Sequence, residues 1–216
     1  MTAMSGGADP VRVDAARSTR LATPADLPDV VGTLVEAFDE DPVWSWAFPD
    51  PEARAAQHAV IFRMTVAHAI ANDAVWLTAG FGAVVTAFGP GINEMSDADA
   101  ERFPSILGDL LGDHADAVNG LFERFEHARP VDTPHLYVSM LGTRNRARGH
   151  GIGMALLAHL VEEADAQGIG TYLESSNGAN DHRYESAGFR VHASIPVAPG
   201  RPAVNTMWRD PAGSGV

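Results

Sequence analysis

Apolar residues recur along this chain with two periods, and the alternation between the periods lays out an α/β protein. Leu27, Val30, Val31, Leu34, Val35 and Phe38 fall three and four apart. They follow Thr23-Pro24-Ala25-Asp26, which offers an N-cap, a proline at the first helical position and an acid at the third. That combination predicts a helix. Asp50-Pro51 opens a second one, running to about Ala71, after a loop crowded with acids and aromatics from Asp39 to Pro49. Residues 75–78 and 81–88 read as strands joined at Ala79-Gly80, a hairpin. Helical spacing returns between Ser96 and Glu126, where Pro104 and Gly112 punctuate it, so two or three short helices are expected.

The last third runs strand (136–141), helix (152–167), strand (171–174), short helix (181–187) and two closing strands (189–195 and 204–209). The order predicts an α/β fold with one mixed sheet, a single domain over 20–210 and a helical insertion ahead of the strand at 136. Residues 1–19 and 211–216 lack an apolar period and read as a disordered leader and a flexible tail.

Composition narrows the function. The chain of 216 residues has no cysteine, which excludes a disulfide framework, thiolate metal ligands and a thiol nucleophile. Nine histidines form no metal-binding pattern, and no metal is expected. No apolar run approaches the ~20 residues of a membrane span and no signal core opens the chain, so a cytoplasmic location is expected. The net charge is −13, and because the first 20 residues carry +1, the body carries −14. Such a surface repels phosphate backbones and anionic lipid, so nucleic acid and membranes are not expected partners, while a cationic small molecule is.

Arg144-Asn145-Arg146-Ala147-Arg148-Gly149-His150-Gly151-Ile152-Gly153 lies between a predicted strand and a long predicted helix. Glycines at 149, 151 and 153 let the backbone turn with φ > 0 and let a ligand approach it closely. The free N–H groups and the dipole at the start of the helix favour an anion, and Arg144, Arg146 and Arg148 add full charges. The pattern fits a pyrophosphate. It lacks the Gly-Lys-Ser/Thr of a Walker loop and the early GxGxxG of a dinucleotide fold.

Arg148-Gly149-His150-Gly151-Ile152-Gly153 resembles the Arg/Gln-x-x-Gly-x-Gly/Ala signature of the GNAT superfamily of N-acetyltransferases. Downstream, Tyr172–Asn177, Asn180 and Tyr184-Glu185-Ser186-Ala187-Gly188-Phe189 resemble that family's closing segment, in wording similar to the puromycin N-acetyltransferase-like branch of actinobacterial enzymes. Ala87 stands where that branch usually has a tryptophan, so puromycin itself is not the expected acceptor. The resemblance implies a mostly antiparallel mixed sheet flanked by helices and acetyl-CoA as co-substrate. It implies that residues 148–153 hold the pyrophosphate and that the strand ending in Leu141, Gly142 and Thr143 pairs with the pantetheine arm and splays at a bulge. A backbone N–H near Leu141 would meet the carbonyl oxygen, Asn180 would bond the end of the arm, and the Tyr184 hydroxyl would point at the sulfur as the acid.

Glu174 ends a strand with apolar neighbours, so a raised pKa and a role as base, directly or through water, are expected. Asp41, Trp44 and Trp46 are candidates for the acceptor wall, carboxylate for a cation and indoles for an ammonium or aromatic group. The expected activity is acetylation of a small-molecule amine by direct transfer in a ternary complex, by a monomer or homodimer. Acetylation of protein N-termini or lysines, or a non-catalytic acyl-CoA-binding regulatory module, are the alternatives.

Overall fold

The computed structural model describes residues 18–213, so the expected leader lies outside the described residues up to Arg17, and the end of the expected tail, 214–216, lies outside them too. One sheet organises the rest. Its strands are β1 (Arg20–Leu21), β2 (Val75–Leu77), β3 (Ala83–Phe88), β4 (His135–Thr143), β5 (Gly170–Ser175), β6 (Arg190–Ile195) and β7 (Val204–Arg209). They lie in the order β1-β2-β3-β4-β5-β7-β6. Every neighbouring pair is antiparallel except β4–β5, which is parallel.

The helices are α1 (Leu27–Phe38), α2 (Pro42–Ala47), α3 (Arg54–Ala71), α4 (Asp97–Leu111), α5 (Ala115–Ala128), α6 (Ile152–Ala166) and α7 (Asp181–Ser186). Two of these elements differ from expectation. The second long helix starts at Arg54 rather than at Asp50, and the loop before it contains α2, capped by Asp41, whose carboxylate accepts from the N–H groups of Val43 and Trp44. Pro104 sits inside α4 without ending it, and Gly112 turns the chain into α5.

The sheet is covered on both faces. Leu156, Leu157, Leu160 and Val161 of α6 pack on Val85, Ala87, Leu136, Val138 and Leu173. On the other face Leu34 of α1 and Phe62 and Val66 of α3 pack on Val84, Phe88, Tyr137 and Tyr172. All six residues of β3 are buried, as expected of a strand covered on both faces. A third cluster, including Ala47, Phe48, Phe103, Leu107 and Val118, joins the α4–α5 hairpin to α2 and α3.

One irregularity places the site. Thr86 pairs with Met140 but Ala87 pairs with Val138, which leaves Ser139 as a bulge on β4. The parallel pairing of β4 with β5 ends at Val138–Leu173. Beyond that pair β4 continues to Thr143 bonded to β3 alone, and a wedge opens between β4 and β5.

Within the aromatic packing, His58 is fully buried against Trp44, Phe48 and Phe62, and neither ring nitrogen has a hydrogen-bond partner. Burial lowers its pKa from 6.5 to about 4. The folded protein therefore refuses a proton that the unfolded chain accepts. Stability on this account is complete above pH 6.5 and is lost as pH falls toward 4, by roughly 2–4 kcal/mol. His58→Phe, which keeps an aromatic ring there, is expected to flatten that acid limb in urea unfolding measured between pH 7 and pH 4.

Candidate active site

The segment between β4 and α6 forms a cradle of backbone groups. Gly151 caps α6 with φ 69°, a left-handed conformation that glycine adopts without strain. The first helical bond runs from the Ala155 N–H to the Gly151 carbonyl at 2.9 Å. The N–H groups of Ile152, Gly153 and Met154 thus have no helical acceptor, and all three residues line the site cavity. A Cβ on Gly153 would stand 2.6 Å from Thr143 Oγ1, so glycine is what allows α6 to start this close to β4.

The three arginines divide their work, against expectation. Arg144 donates to Thr33 Oγ1 at 3.0 Å and to Glu36 at 3.5 Å, pinning the loop to α1, while the Asn145 N–H reaches Glu36 at 2.6 Å. Arg146 donates to the Gly80 carbonyl at 2.8 Å, in the turn between β2 and β3. Only Arg148 lines the cavity, held by a 3.0 Å bond to the Ala37 carbonyl. Arg144 and Arg146 are fasteners of the loop, because α1 and the turn present acceptors to them first.

The cavity measures about 840 Å³ and reaches from the cradle to the wedge. Leu141, Thr143, Arg148, Gly149, Gly151, Ile152, Gly153 and Asn180 line it, and so do Glu174, Tyr184, Asp41 and Trp44. The Met140 N–H donates to Thr86 Oγ1 and the Arg144 N–H to the Gly82 carbonyl, both toward β3. Backbone N–H groups alternate between the two edges of a strand, so those of Leu141 and Thr143 face the wedge. Three candidates lie elsewhere. Gly142 turns to α1, where a Cβ would stand 3.0 Å from Leu34 and 3.1 Å from Ala37. His150 is not in the lining, and Trp46 packs edge-on to His114, 5.1 Å away.

Asp41 is in the cavity wall with both oxygens engaged. Oδ1 accepts from the N–H groups of Val43 and Trp44, and Oδ2 accepts from the Ser176 hydroxyl at 2.6 Å. It clasps α2 to the loop after β5, which differs from the open, cation-facing carboxylate expected of it. Burial still raises its pKa.

Glu174 lies just past the last β4–β5 pair, and its Oε1 is buried without a hydrogen-bond partner. Its pKa is pushed up from 4.5 to about 8, first by burial and then by the charge of Glu94; Arg129 and the hydroxyls of Tyr137 and Tyr172 oppose the shift. Tyr184 is pushed up to about 12, first by burial and then by Asp41 and Asp181, and its ring meets Phe189 edge-on at 6.2 Å. It therefore keeps its proton at any neutral pH.

Glu94 and Arg129 escaped the reading of the sequence. Arg129 Nη2 donates to Glu94 Oε2 at 2.7 Å, and its guanidinium lies 3.7 Å over the Tyr137 ring. The Ser139 hydroxyl, on the bulge, donates to the other oxygen of Glu94. The two residues are 35 positions apart in irregular segments that carry no motif, so no local signal marks them. Among the described residues no helix is long and apolar enough to cross a membrane, and no group of three metal-ligating side chains occurs.

Residues 112–189, from the start of α5 past α7, match the acetyltransferase (GNAT) family model. Among solved structures, the chain is similar to a Corynebacterium glutamicum protein described as histone acetyltransferase HPA2 and related acetyltransferase. The identity is 26%, the TM-score 0.69, and the alignment covers 92% of this chain and 98% of that one. It also shares its fold with a Drosophila melanogaster polyamine N-acetyltransferase (15% identity, TM-score 0.64, covering 89% and 98%). The same holds for an Aedes aegypti arylalkylamine N-acetyltransferase (14%, TM-score 0.62, covering 89% and 97%).

The raised pKa of Glu174 makes a stability prediction with a definite sign. Between pH 4.5 and about 8 the folded protein holds a proton that the unfolded chain has released. Stability contributed by this group is present below pH 4.5 and is lost as pH rises through about 8, by roughly 3–5 kcal/mol. Glu174→Gln cannot titrate. In paired denaturant curves it is expected to gain on the parent steadily over that window and to be the more stable protein at pH 8.5.

Proposed function

We propose that the chain is a GNAT-family acetyltransferase that moves an acetyl group from acetyl-CoA to the amine of a small cationic molecule. One observation carries the proposal. A single cavity of about 840 Å³ is lined both by Ile152, Gly153 and Met154, whose N–H groups open α6, and by Glu174, whose Oε1 is buried and unpartnered.

The donor half fits acetyl-CoA. The N–H groups of Ile152, Gly153 and Met154, with Arg148, would hold the pyrophosphate, and the wedge-facing N–H of Thr143 would pair with the amide-bearing arm, whose end Asn180 would bond. Acetyl-CoA bound there supplies an activated thioester. In our reading Glu174 takes a proton from the acceptor ammonium through its ionised fraction, the minority below pH 8, and a carboxylate with a pKa of about 8 is a far stronger base than one at 4.5. The Leu141 N–H, on the wedge edge, would stabilise the carbonyl oxygen. Tyr184 would donate a hydrogen bond to the sulfur as the C–S bond breaks and the N–C bond forms. With a pKa of about 12 it is too weak an acid to surrender its proton to a thiolate of ordinary basicity, about 8.5, so it steadies the charge instead, and the departing thiolate takes the second proton, which the nitrogen sheds as the amide forms.

The acceptor half is built by α2 and the insertion. Glu94, Asp97, Glu123 and Glu126 face the cavity against Arg129 alone among the insertion's cations, and Trp44, Phe103 and Phe122 supply apolar wall. That favours an amine on a compact apolar body and disfavours a protein chain, which needs an open groove. The motifs of 172–189 also keep the puromycin N-acetyltransferase-like branch as our reading. Ala87 does not speak against it, since it is buried under α6 and is absent from the cavity wall.

Purified protein, acetyl-CoA and a panel of aminonucleosides, arylalkylamines, polyamines, amino acids and peptides, followed by chromogenic detection of free thiol, test the proposal. The chain has no cysteine and adds no background. Release dependent on one amine class, falling ~100-fold in Tyr184→Phe, is the expected result. Acetyl-CoA binding without release for any amine would favour the regulatory module, and release with peptides alone would favour protein acetylation.

A further inference from the structure

The insertion between β3 and β4 leaves the sheet on the loop that carries Glu94 and returns to it at Arg129. These two side chains close its base with a 2.7 Å ion pair. The pair rests on β4 at the place where that strand parts from β5. Arg129 lies over the Tyr137 ring, and Ser139, the bulged residue, holds Glu94. Across the opening stands Glu174, with one oxygen buried and unpartnered. Nothing about acetyl transfer requires the base of an insertion to be an ion pair, and a half-buried pair, with side chains 21% and 27% exposed, is a poor source of stability because lost hydration and side-chain freedom offset most of the attraction.

We propose that Glu94 and Arg129 are positioning residues for Glu174: they fasten the insertion that walls the acceptor and hold two opposite charges against the carboxylate that takes the amine proton. The proposal rests on the reading of Glu174 as the base. The groups that face Glu174 are Glu94 from the loop before α4, Arg129 from the segment after α5, Tyr137 from β4 and Tyr172 from β5. Of these, Glu94 and Arg129 form the ion pair, while both tyrosines have their pKa values raised by burial and stay neutral. The pair cancels itself at long range and does not cancel at Glu174, where Glu94 favours the protonated acid and Arg129 the carboxylate. Setting the insertion in place therefore also sets the proton affinity of the base.

The signature is a pair of shifts of opposite sign, which a purely structural role cannot produce. Glu94→Gln keeps the shape and removes the like charge, so Glu174 should titrate at least ~1 unit lower; Arg129→Met removes the favourable charge, so it should titrate at least ~1 unit higher. Arg129→Lys should restore most of the parent value. The readout is the carboxyl carbon of Glu174 in the full chain labelled with ¹³C-glutamate, assigned by its loss in Glu174→Gln. The acid limb of kcat/KM against pH should move with it. Should Arg129→Met fail to fold, the downward shift in the isosteric Glu94→Gln decides alone. Shifts of the same sign, or none, in folded variants overturn the proposal. Opposite shifts by NMR in a protein that releases no thiol with any amine would leave the charge coupling standing and sink the acetyl-transfer reading; amine-dependent release without opposite shifts would sink the pair alone.

Discussion

The parting of β4 and β5 after Val138–Leu173 is the constraint on which the site depends. Two parallel strands that stayed paired would spend the N–H groups of Leu141 and Thr143 on each other and would bury Glu174 in a continuous sheet. The bulge at Ser139 lets β4 stay bonded to β3 while it leaves β5. The freed edge then needs a neighbour, and α6 supplies one by starting hard against Thr143 over Gly153. Donor cradle, strand edge and carboxylate thus follow from one local break in pairing, and the core clusters on both faces hold the break open.

Buried titratable groups are the cost of that arrangement. Burial is the largest influence on Glu174, on Tyr137, on Tyr184 and on Asp41, and it favours the uncharged form of each. Such groups are stabilised less than an apolar core of the same volume would be. The surplus comes from the sheet, where leucine and valine layers on both faces are closed to water. The site is therefore a place where stability is given up for a raised proton affinity at Glu174, a trade familiar at functional sites.

Local chemistry was legible in the sequence and long-range chemistry was not. The glycines of 149–153, the helix after them and the order of the last six elements all follow from spacing within some ten residues, and the structure has them. β1 is two residues long and cannot show an alternation. Asp41-Pro42 is a good helix start that the acids and tryptophans around it masked. The arginines at 144 and 146 looked like phosphate ligands because their partners, Thr33, Glu36 and Gly80, come from other parts of the chain. Glu94 and Arg129 failed for the same reason in reverse, since each is an ordinary loop charge until the fold brings them together.

This division explains why the two substrates are unequally readable. The donor is the same molecule throughout a family, and what binds it is backbone geometry, which glycine spacing betrays. The acceptor side we propose is walled by the α4–α5 insertion, whose cavity-lining residues Phe103, Phe122, Glu123 and Glu126 also satisfy an ordinary amphipathic pattern. A fold carries many activities, and specificity sits in parts grafted on it. In the proposed arrangement the graft is tied to Glu174 through the Glu94–Arg129 pair, so a change in the insertion that disturbs their pairing would reach Glu174 as well. Acceptor range and pH range should then drift together when the insertion changes, whereas changes at the cradle should alter donor affinity and leave both alone.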